Sequence, residues 1–218
     1  MQFTKTFSLI IALIFLFSAF LGMLFSWSGI VFAFLGAIFT LLLLLLLFIQ
    51  LFSSNSLINP ISLIFILWGA QIIGLGANIL RPMPDPILEN PDDHAHQLEF
   101  MYNTSLSDQQ QIKYFLFDTF HDEMRHRDSV RISQLMEYHE EGLIEEPKEK
   151  YHAATILRRG YESEHFETGY ELAQEAEADD PDLPNITRLK ETLYDQWQME
   201  EGAEGEYGTH SLPIPGNL

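Results

Sequence analysis

Between Lys5 and Arg81 the chain carries no charged side chain. That single fact limits the folds open to it more than any other. Asp, Glu, Lys and Arg make up about a quarter of an ordinary globular sequence, and uncharged apolar windows of about 18 or more residues read as membrane spans. Two polar breaks interrupt the run: Ser26-Trp27-Ser28-Gly29, and Ser53-Ser54-Asn55-Ser56 followed by Asn59-Pro60. They divide residues 1–81 into three expected transmembrane helices, about 7–25, 30–52 and 61–80, each near the ~20 residues that cross ~30 Å of hydrocarbon. The first break is short enough to predict a tight antiparallel hairpin of the first two spans. A cleaved signal peptide is the rival reading of the first span, but its apolar core is long and lacks a small-x-small cleavage site before a polar mature start.

Within the spans, Gly29, Ala33 and Ala37 recur every four residues on the second, and Ala70, Gly74 and Asn78 do nearly the same on the third. Small residues at this spacing let helix backbones approach closely, and Gln71 and Asn78 are expected to hydrogen-bond a neighbouring helix. Leu41–Leu47 is seven leucines in a row, a featureless surface suited to lipid or to a large partner. No ionisable group lies inside any span, and proton relays, ion pathways and coupled transporters usually need one. The segment reads as an anchor or packing surface rather than a pore, with no cofactor expected.

The rest of the chain reverses this character. Residues 82–218 hold ten Lys/Arg against all 31 Asp/Glu, a formal charge near −21. Such a field repels nucleic acid and anionic headgroups, so no nucleic-acid partner is expected. No cysteine is present, which excludes disulfides and thiolate metal sites. Arg81-Pro82-Met83-Pro84-Asp85-Pro86 opens an extended juxtamembrane linker, assigned to 82–106, that holds the acidic domain off the bilayer. Asn90-Pro91-Asp92-Asp93-His94-Ala95-His96 mixes carboxylates and imidazoles, but its spacing defines no metal site, and no metal is expected.

An acidic helical domain is expected over 107–218. Ser107-x-x-Gln110 reads as a capping box opening a helix with Ile112, Phe115, Leu116 and Phe120 on one face. His121–Arg127 falls at or beyond its end, with Asp122–Arg125 and Glu123–Arg127 as helix ion pairs. Further helices are expected around Val130–His139 and over 148–159, 162–179 and 185–200, set off by Gly142, Pro147, Gly160 and Asp179–Pro184. No strand alternation is visible. The fold class is therefore an all-α membrane protein: three transmembrane helices followed by a small acidic α-helical domain, with helical hairpins of the tetratricopeptide kind as one local geometry. The tail beyond Gly202 is expected to be irregular.

Ala153-Ala154-Thr155-Ile156-Leu157-Arg158-Arg159-Gly160 and Asp195-Gln196-Trp197-Gln198-Met199, continuing through Gly202 to Tyr207-Gly208-Thr209-His210, resemble a bacterial domain-of-unknown-function family, the one numbered 6624. Its pattern is Ala-Ala-x-x-x-Gln-His-Gly, then Asp-Arg-Trp-Leu-Met-x-x-Gly-x-Pro-Gln-x-Tyr-Gly-Thr-Gln. Asp195, Trp197, Met199, Gly202, Tyr207, Gly208 and Thr209 keep the register. Arg158, Arg159, Gln196, Gly205 and His210 depart from it, at polar positions. The resemblance implies an inherited helical scaffold with an altered polar site.

The turn at Gly202 lets the tail fold back, so that Asp195 can accept hydrogen bonds from the Tyr207–Thr209 backbone or the Thr209 hydroxyl with Trp197 beneath: a structural clasp of Asp195, Trp197, Tyr207, Gly208 and Thr209. The competing reading makes Asp195 a catalytic acid or base. The functional expectation is an accessory or structural subunit of a larger membrane complex, whose partners are lipid and other integral membrane subunits. Its acidic domain would cover or dock to the exposed face of that complex. The alternatives are a membrane-tethered enzyme drawing on His121, Asp122, His126, Asp195 and His210, and a binding or sensing module for a basic partner or a metal ion. No nucleophile–base pair has a recognisable local context, so no catalytic residue is assigned. Lys5 weighed against Arg81 places the N-terminus inside and the acidic domain outside, in a bacterial inner membrane.

Overall fold

The computed structural model describes residues 2–52, 58–89, 91 and 93–209, with side chains from Ile10 onward except over 51–60. The second polar break, Ser53–Ser56, the Asn90 and Asp92 positions and His210 fall outside the described residues. All regular structure among the described residues is helical. The chain forms two compact units: Met1–Met83 with Gln110–Asp118, and Pro84–Gln109 with Thr119–Leu218.

The first unit contains α1 (Gln2–Leu24), α2 (Ser28–Phe52) and α3 (Ile58–Ile79). Two stretches, Ser28–Gln50 and Ile61–Ile79, are long and apolar enough to cross a membrane; in α1 the apolar stretch Ile10–Leu24 is shorter. Three spans were expected. The shortfall lies in α1, whose described side chains begin at Ile10 and whose first turns carry Gln2, Thr4, Lys5 and Thr6.

The expected hairpin of the first two helices is not the packing that forms. α3 packs against both α1 and α2, which scarcely touch each other. The reason is the small-residue face of α3. A side chain at Gly22 of α1 would collide with the Gly74 carbonyl, and one at Gly74 would meet the Phe32 ring of α2 at 2.6 Å, so both neighbours close on α3 at Gly74. Ala70 and Asn78, one turn either side, are buried.

The second helix meets α3 through Gly29, Phe32, Gly36 and Thr40 rather than through the expected Gly29/Ala33/Ala37 row. The Thr40 hydroxyl accepts from Trp68 Nε1 at 3.0 Å, while Ala33 is half-buried and Ala37 exposed. A four-residue repeat drifts around a 3.6-residue helix, and the bulky Phe32 seats on Gly74 in place of Ala33.

Asn78 has the decisive polar role in this unit. Its Nδ2 donates to the carbonyls of Gly22, Phe25 and Ser26 at 3.2, 3.0 and 3.2 Å, with Ser28 Oγ at 3.3 Å. The last turn of an α-helix leaves carbonyls without intrahelical partners, and in an apolar medium each costs several kcal/mol. With two N–H hydrogens the amide serves at most two of these acceptors at once, and it ties the α1–α2 turn to α3. Gln71 makes no comparable contact; its Oε1, like the Asn78 Oδ1, is buried without a hydrogen-bond partner.

In the second unit, α4 (His94–Gln109), α6 (His121–Glu140), α7 (Pro147–Leu157), α8 (Ser163–Asp179) and α9 (Ile186–Glu200) build one core; the four-residue α5 (Lys113–Leu116) belongs to the first unit. Every residue from Tyr151 to Leu157 is buried, so α7 is the central helix, with α8 on one side and α4 on another, while α9 packs on α8. Leu98, Met101, Ile132, Leu135, Leu157 and Leu193 are all at or below 1% exposure and form the centre.

Two expectations are corrected here. Residues 94–106 are helical, not an extended linker. Asp93 starts this helix by accepting the His96 N–H at 2.7 Å, and Gln97, Leu98, Met101, Thr104, Ser105 and Asp108 form its buried face. The proline strap before it is docked rather than free. Gln97 bonds the Leu88 N–H at 3.0 Å, the Thr104 hydroxyl reaches the Pro86 carbonyl at 3.4 Å, and Arg127 Nη2 holds the Pro84 carbonyl at 2.8 Å.

Nor does Ser107 open a helix, since it lies in the last turn of α4; α6 starts at His121, the point expected to end one. Between them come α5 and a 3-10 turn, Asp118–Phe120. The apolar row Ile112/Phe115/Leu116/Phe120 thus never lies along one helix.

Candidate functional site

The most heavily constrained chemistry in the second unit is a row of buried charges running from α4 through α6 to the end of α7. Asp108, 1% exposed, accepts from Arg127 Nε at 2.8 Å and Nη2 at 3.2 Å, and from Arg131 Nη2. Arg131 has no exposed surface; its Nη1 donates to Asp128 at 3.1 Å and its Nε to Thr104 Oγ1 at 3.3 Å. Arg159 Nε, at the end of α7, reaches the other oxygen of Asp128 at 3.3 Å. Three guanidiniums share two carboxylates. Placing Arg127 and Arg131 one turn apart on α6 aims both at Asp108, and Asp128 bridges onward to Arg159. Burial raises the Asp128 pKa above the ordinary aspartate value, outweighing the opposing pull of Arg159 and Arg131, with Asp108 adding to the rise.

The row ends in a cleft. A cavity of about 560 Å³ is lined by Arg125, His126, Asp128, Ser129, Arg159, Gly160 and Tyr161, and a second of about 220 Å³ by His121, Met124, Arg125, Asp128 and Arg159. Arg125 and His126 are exposed at the rim, Arg159 is half-buried and Asp128 forms the floor. The Ser129 hydroxyl donates to the His126 carbonyl at 2.9 Å, so it faces the backbone and not a base. A cationic rim over a buried carboxylate suits the binding of an anionic group; it does not assemble a nucleophile with its base.

His121 and His126 thus line two cavities that share Arg125, Asp128 and Arg159, and Asp195 lines neither. Asp195 has no exposed surface and accepts the Tyr207 N–H at 2.8 Å, the Thr209 N–H at 2.7 Å and the Thr209 hydroxyl at 3.0 Å. Burial pushes its pKa up, but these donors pull harder and hold it below the ordinary value. Gly202, at φ +80°, turns the chain back after α9, and a side chain on Gly205 would lie 2.9 Å from the Asp195 carboxylate. Gly208, at φ +66°, makes the turn between the two donors. The Tyr194 ring links the two aromatic residues of the clasp, 5.7 Å from the Tyr207 ring and 6.2 Å from that of Trp197.

His152 is buried and stacked on Tyr102 at 4.0 Å, and burial, helped by Lys148, lowers its pKa to about 4. Among the described residues no group of three or more His, Asp or Glu is placed to hold a metal ion.

Asp108, Arg127, Arg131 and Arg159 escape a sequence reading built on apolar periodicity. Arg127 is a case in point: expected to pair with Glu123 on its own helix, it also reaches across to Asp108 and the Pro84 carbonyl. The available signal was composition. Five of the ten Lys/Arg after Arg81 are arginines at 125, 127, 131, 158 and 159, an unusual clustering in so acidic a domain.

No family model, curated protein or solved structure gives a significant match to this chain.

Proposed function

We propose that the chain is a membrane-anchored accessory subunit, in which α1–α3 cross the bilayer and pack against a larger membrane complex while the acidic helical domain docks to that complex's exposed face. The observation that carries this reading is the outer face of α2: Phe34, Leu41, Leu44, Leu45 and Phe48 are each more than half exposed. A surface of this kind needs lipid or other apolar helices to cover it. The small-residue faces are spent on packing α3 against α1 and α2, which leaves outward apolar faces on α2 and on α1, where Leu13, Leu16, Phe17 and Phe20 are also more than half exposed, open to lipid or to a partner. Three spans put the N-terminus and the acidic domain on opposite sides, with Lys5 favouring an inside N-terminus. The proposed kinship with the bacterial family rests on the shared register around Asp195, Trp197 and Tyr207-Gly208-Thr209.

The test uses full-length protein tagged in its native membrane, with a photo-crosslinking residue at Leu44 and, in a separate variant, at Gly74. On native gels in mild detergent the protein should migrate in a complex several times its own 25.1 kDa. Leu44 should crosslink to one defined integral-membrane polypeptide, and Gly74 only within the chain. Migration as a lone monomer, with no protein crosslink from Leu44, overturns the reading.

A second reading, a tethered binding module, is favoured by the cleft at Arg125 and Arg159. Its rim turns that reading toward an anionic ligand rather than a basic one. Inorganic phosphate should then raise the unfolding midpoint of the wild-type protein more than chloride at equal ionic strength, and should not do so for Arg125→Ala. Equal effects of the two salts would remove this reading.

A further inference from the structure

The segment Gln110–Asp118 leaves the acidic unit after α4 and becomes part of the first unit before α6 begins. Three contacts fix it to the end of the helices where α1 turns into α2 and α3 finishes. Ser26 Oγ donates to Gln110 Oε1 at 3.1 Å, a methyl of Ile112 sits in the notch that Gly29 leaves, and the Tyr114 hydroxyl reaches Met83 Sδ at 3.3 Å. Gln111, Ile112, Lys113 and Tyr114 are buried. The next three residues face the other way: Phe115 is 70% exposed, Leu116 50% and Phe117 44%.

Three consecutive large apolar side chains held outward, two on a one-turn helix and Phe117 just beyond its end, are not an ordinary water-facing loop. Two features say what covers them. Phe25 and Trp27, in the α1–α2 turn against which the segment is seated, are themselves 38% and 49% exposed, with rings 5.4 Å apart. Aromatic side chains at the end of a span are where a bilayer's interfacial belt falls. The segment also differs in charge from the domain around it. Gln110–Phe117 has no acidic residue and one lysine, whereas Asp85–Glu206 holds all 31 Asp and Glu. Carrying no acidic residue, it adds nothing to the repulsion that keeps the rest of the acidic domain away from anionic headgroups.

We propose that Phe115, Leu116 and Phe117 form an interfacial wedge, inserted among the headgroups and first acyl carbons of the bilayer that α1–α3 cross. The wedge rests on the membrane reading above and adds to it a second, non-spanning contact with lipid. It brings the chain back to the membrane between α4 and α6, so that Pro84 is not the sole tether point of the acidic unit.

The chain's lack of cysteine makes the test direct. Full-length single-cysteine variants Leu116→Cys, Phe115→Cys, Leu44→Cys and Asp180→Cys are labelled with an environment-sensitive fluorophore and reconstituted in phosphatidylcholine vesicles containing phosphatidylglycerol. Quenching is read with aqueous iodide and with lipids carrying a nitroxide near the headgroup or near the acyl end. The labels at 115 and 116 should be quenched most by the shallow nitroxide and several-fold less by iodide than the label at 180. The label at Leu44 should respond to lipid nitroxides alone. Iodide quenching at 116 equal to that at 180, with Leu44 still in lipid, overturns the wedge and leaves the anchor standing. Shielding from iodide without lipid quenching also overturns it, since protein rather than lipid would then cover the face. Iodide quenching at Leu44 overturns the anchor and the wedge together.

Discussion

Neutralising Asp108 is the sharpest perturbation of the acidic domain. Its carboxylate is buried and receives three guanidinium N–H groups, two from Arg127 and one from Arg131. Asn would keep one acceptor oxygen but turn an NH₂ donor toward a guanidinium, leaving Arg131, with no exposed surface, short of a counter-charge. Removing one partner of a buried ion pair typically costs about 3–5 kcal/mol, because the remaining charge is uncompensated. With a urea slope of about 1–3 kcal/mol per molar, the unfolding midpoint should fall by on the order of 2 M.

The assay is urea unfolding of the full chain in detergent, followed by Trp197 fluorescence in a Trp27→Phe/Trp68→Phe background so that the second unit alone reports. Arg131→Met and the double variant Asp108→Asn/Arg131→Met complete a cycle. The two losses should be strongly non-additive, since each removes the same bridge. A midpoint drop below about 0.5 M at unchanged slope, or additive losses, would refute the reasoning.

Three further outcomes are expected. Asp195→Asn should destabilise the tail contact by about 1.5–3 kcal/mol, because charged acceptors are lost to Tyr207 and Thr209, and should speed Glu-specific cleavage at Glu204 and Glu206; unchanged cleavage and midpoint would return Asp195 to the list of catalytic candidates. Gly74→Leu should cost about 1–3 kcal/mol by driving a side chain into Phe32 and should loosen α1–α3 packing, read as faster exchange of α3 amides; unchanged exchange would mean that the face looks at lipid. His152 binds its proton less readily in the folded state than in the unfolded, so stability should be complete above pH 6.5 and fall as the pH drops toward about 4. The part of that loss due to His152 should be roughly 2–3 kcal/mol by pH 4.5, and a His152→Phe variant should lack it, read from midpoints at pH 7 and 4.5.

What could be read from sequence follows a physical line. α7, α8 and α9 were legible because Pro147, Gly160 and Asp180–Pro184 punctuate an apolar period, and their buried faces are Ala, Leu, Phe and Ile. α4 and the start of α6 were not, since their inward residues include Gln97, Thr104, Ser105, Asp108, Arg127 and Arg131. An ion-paired face has no hydrophobic period to detect. The same blindness hid the cleft, whose floor is the outer end of that ion row. Ile112, Phe115 and Leu116 were recognised as apolar and then given to the wrong structure, a helix in the acidic domain, because nothing local says that the chain returns there to the first unit. The turn at Gly202 was readable from the glycine itself, whereas the clearance beside Asp195 that Gly205 provides emerged only with the fold. In the first unit the small residues of α3 lie at its close contacts with α1 and α2, and nothing in their spacing says that both partners lie within this chain.

The claim that everything else depends on is that α1–α3 cross a bilayer and leave the acidic domain on the side opposite the N-terminus. Single cysteines at Gln2 and Asp180 of the otherwise cysteine-free chain, exposed to a membrane-impermeant maleimide in sealed native vesicles of one orientation, test it most directly. Three spans predict that one site labels at once and the other only after the vesicles are permeabilised; labelling of both sites in sealed vesicles, or of neither, would contradict it.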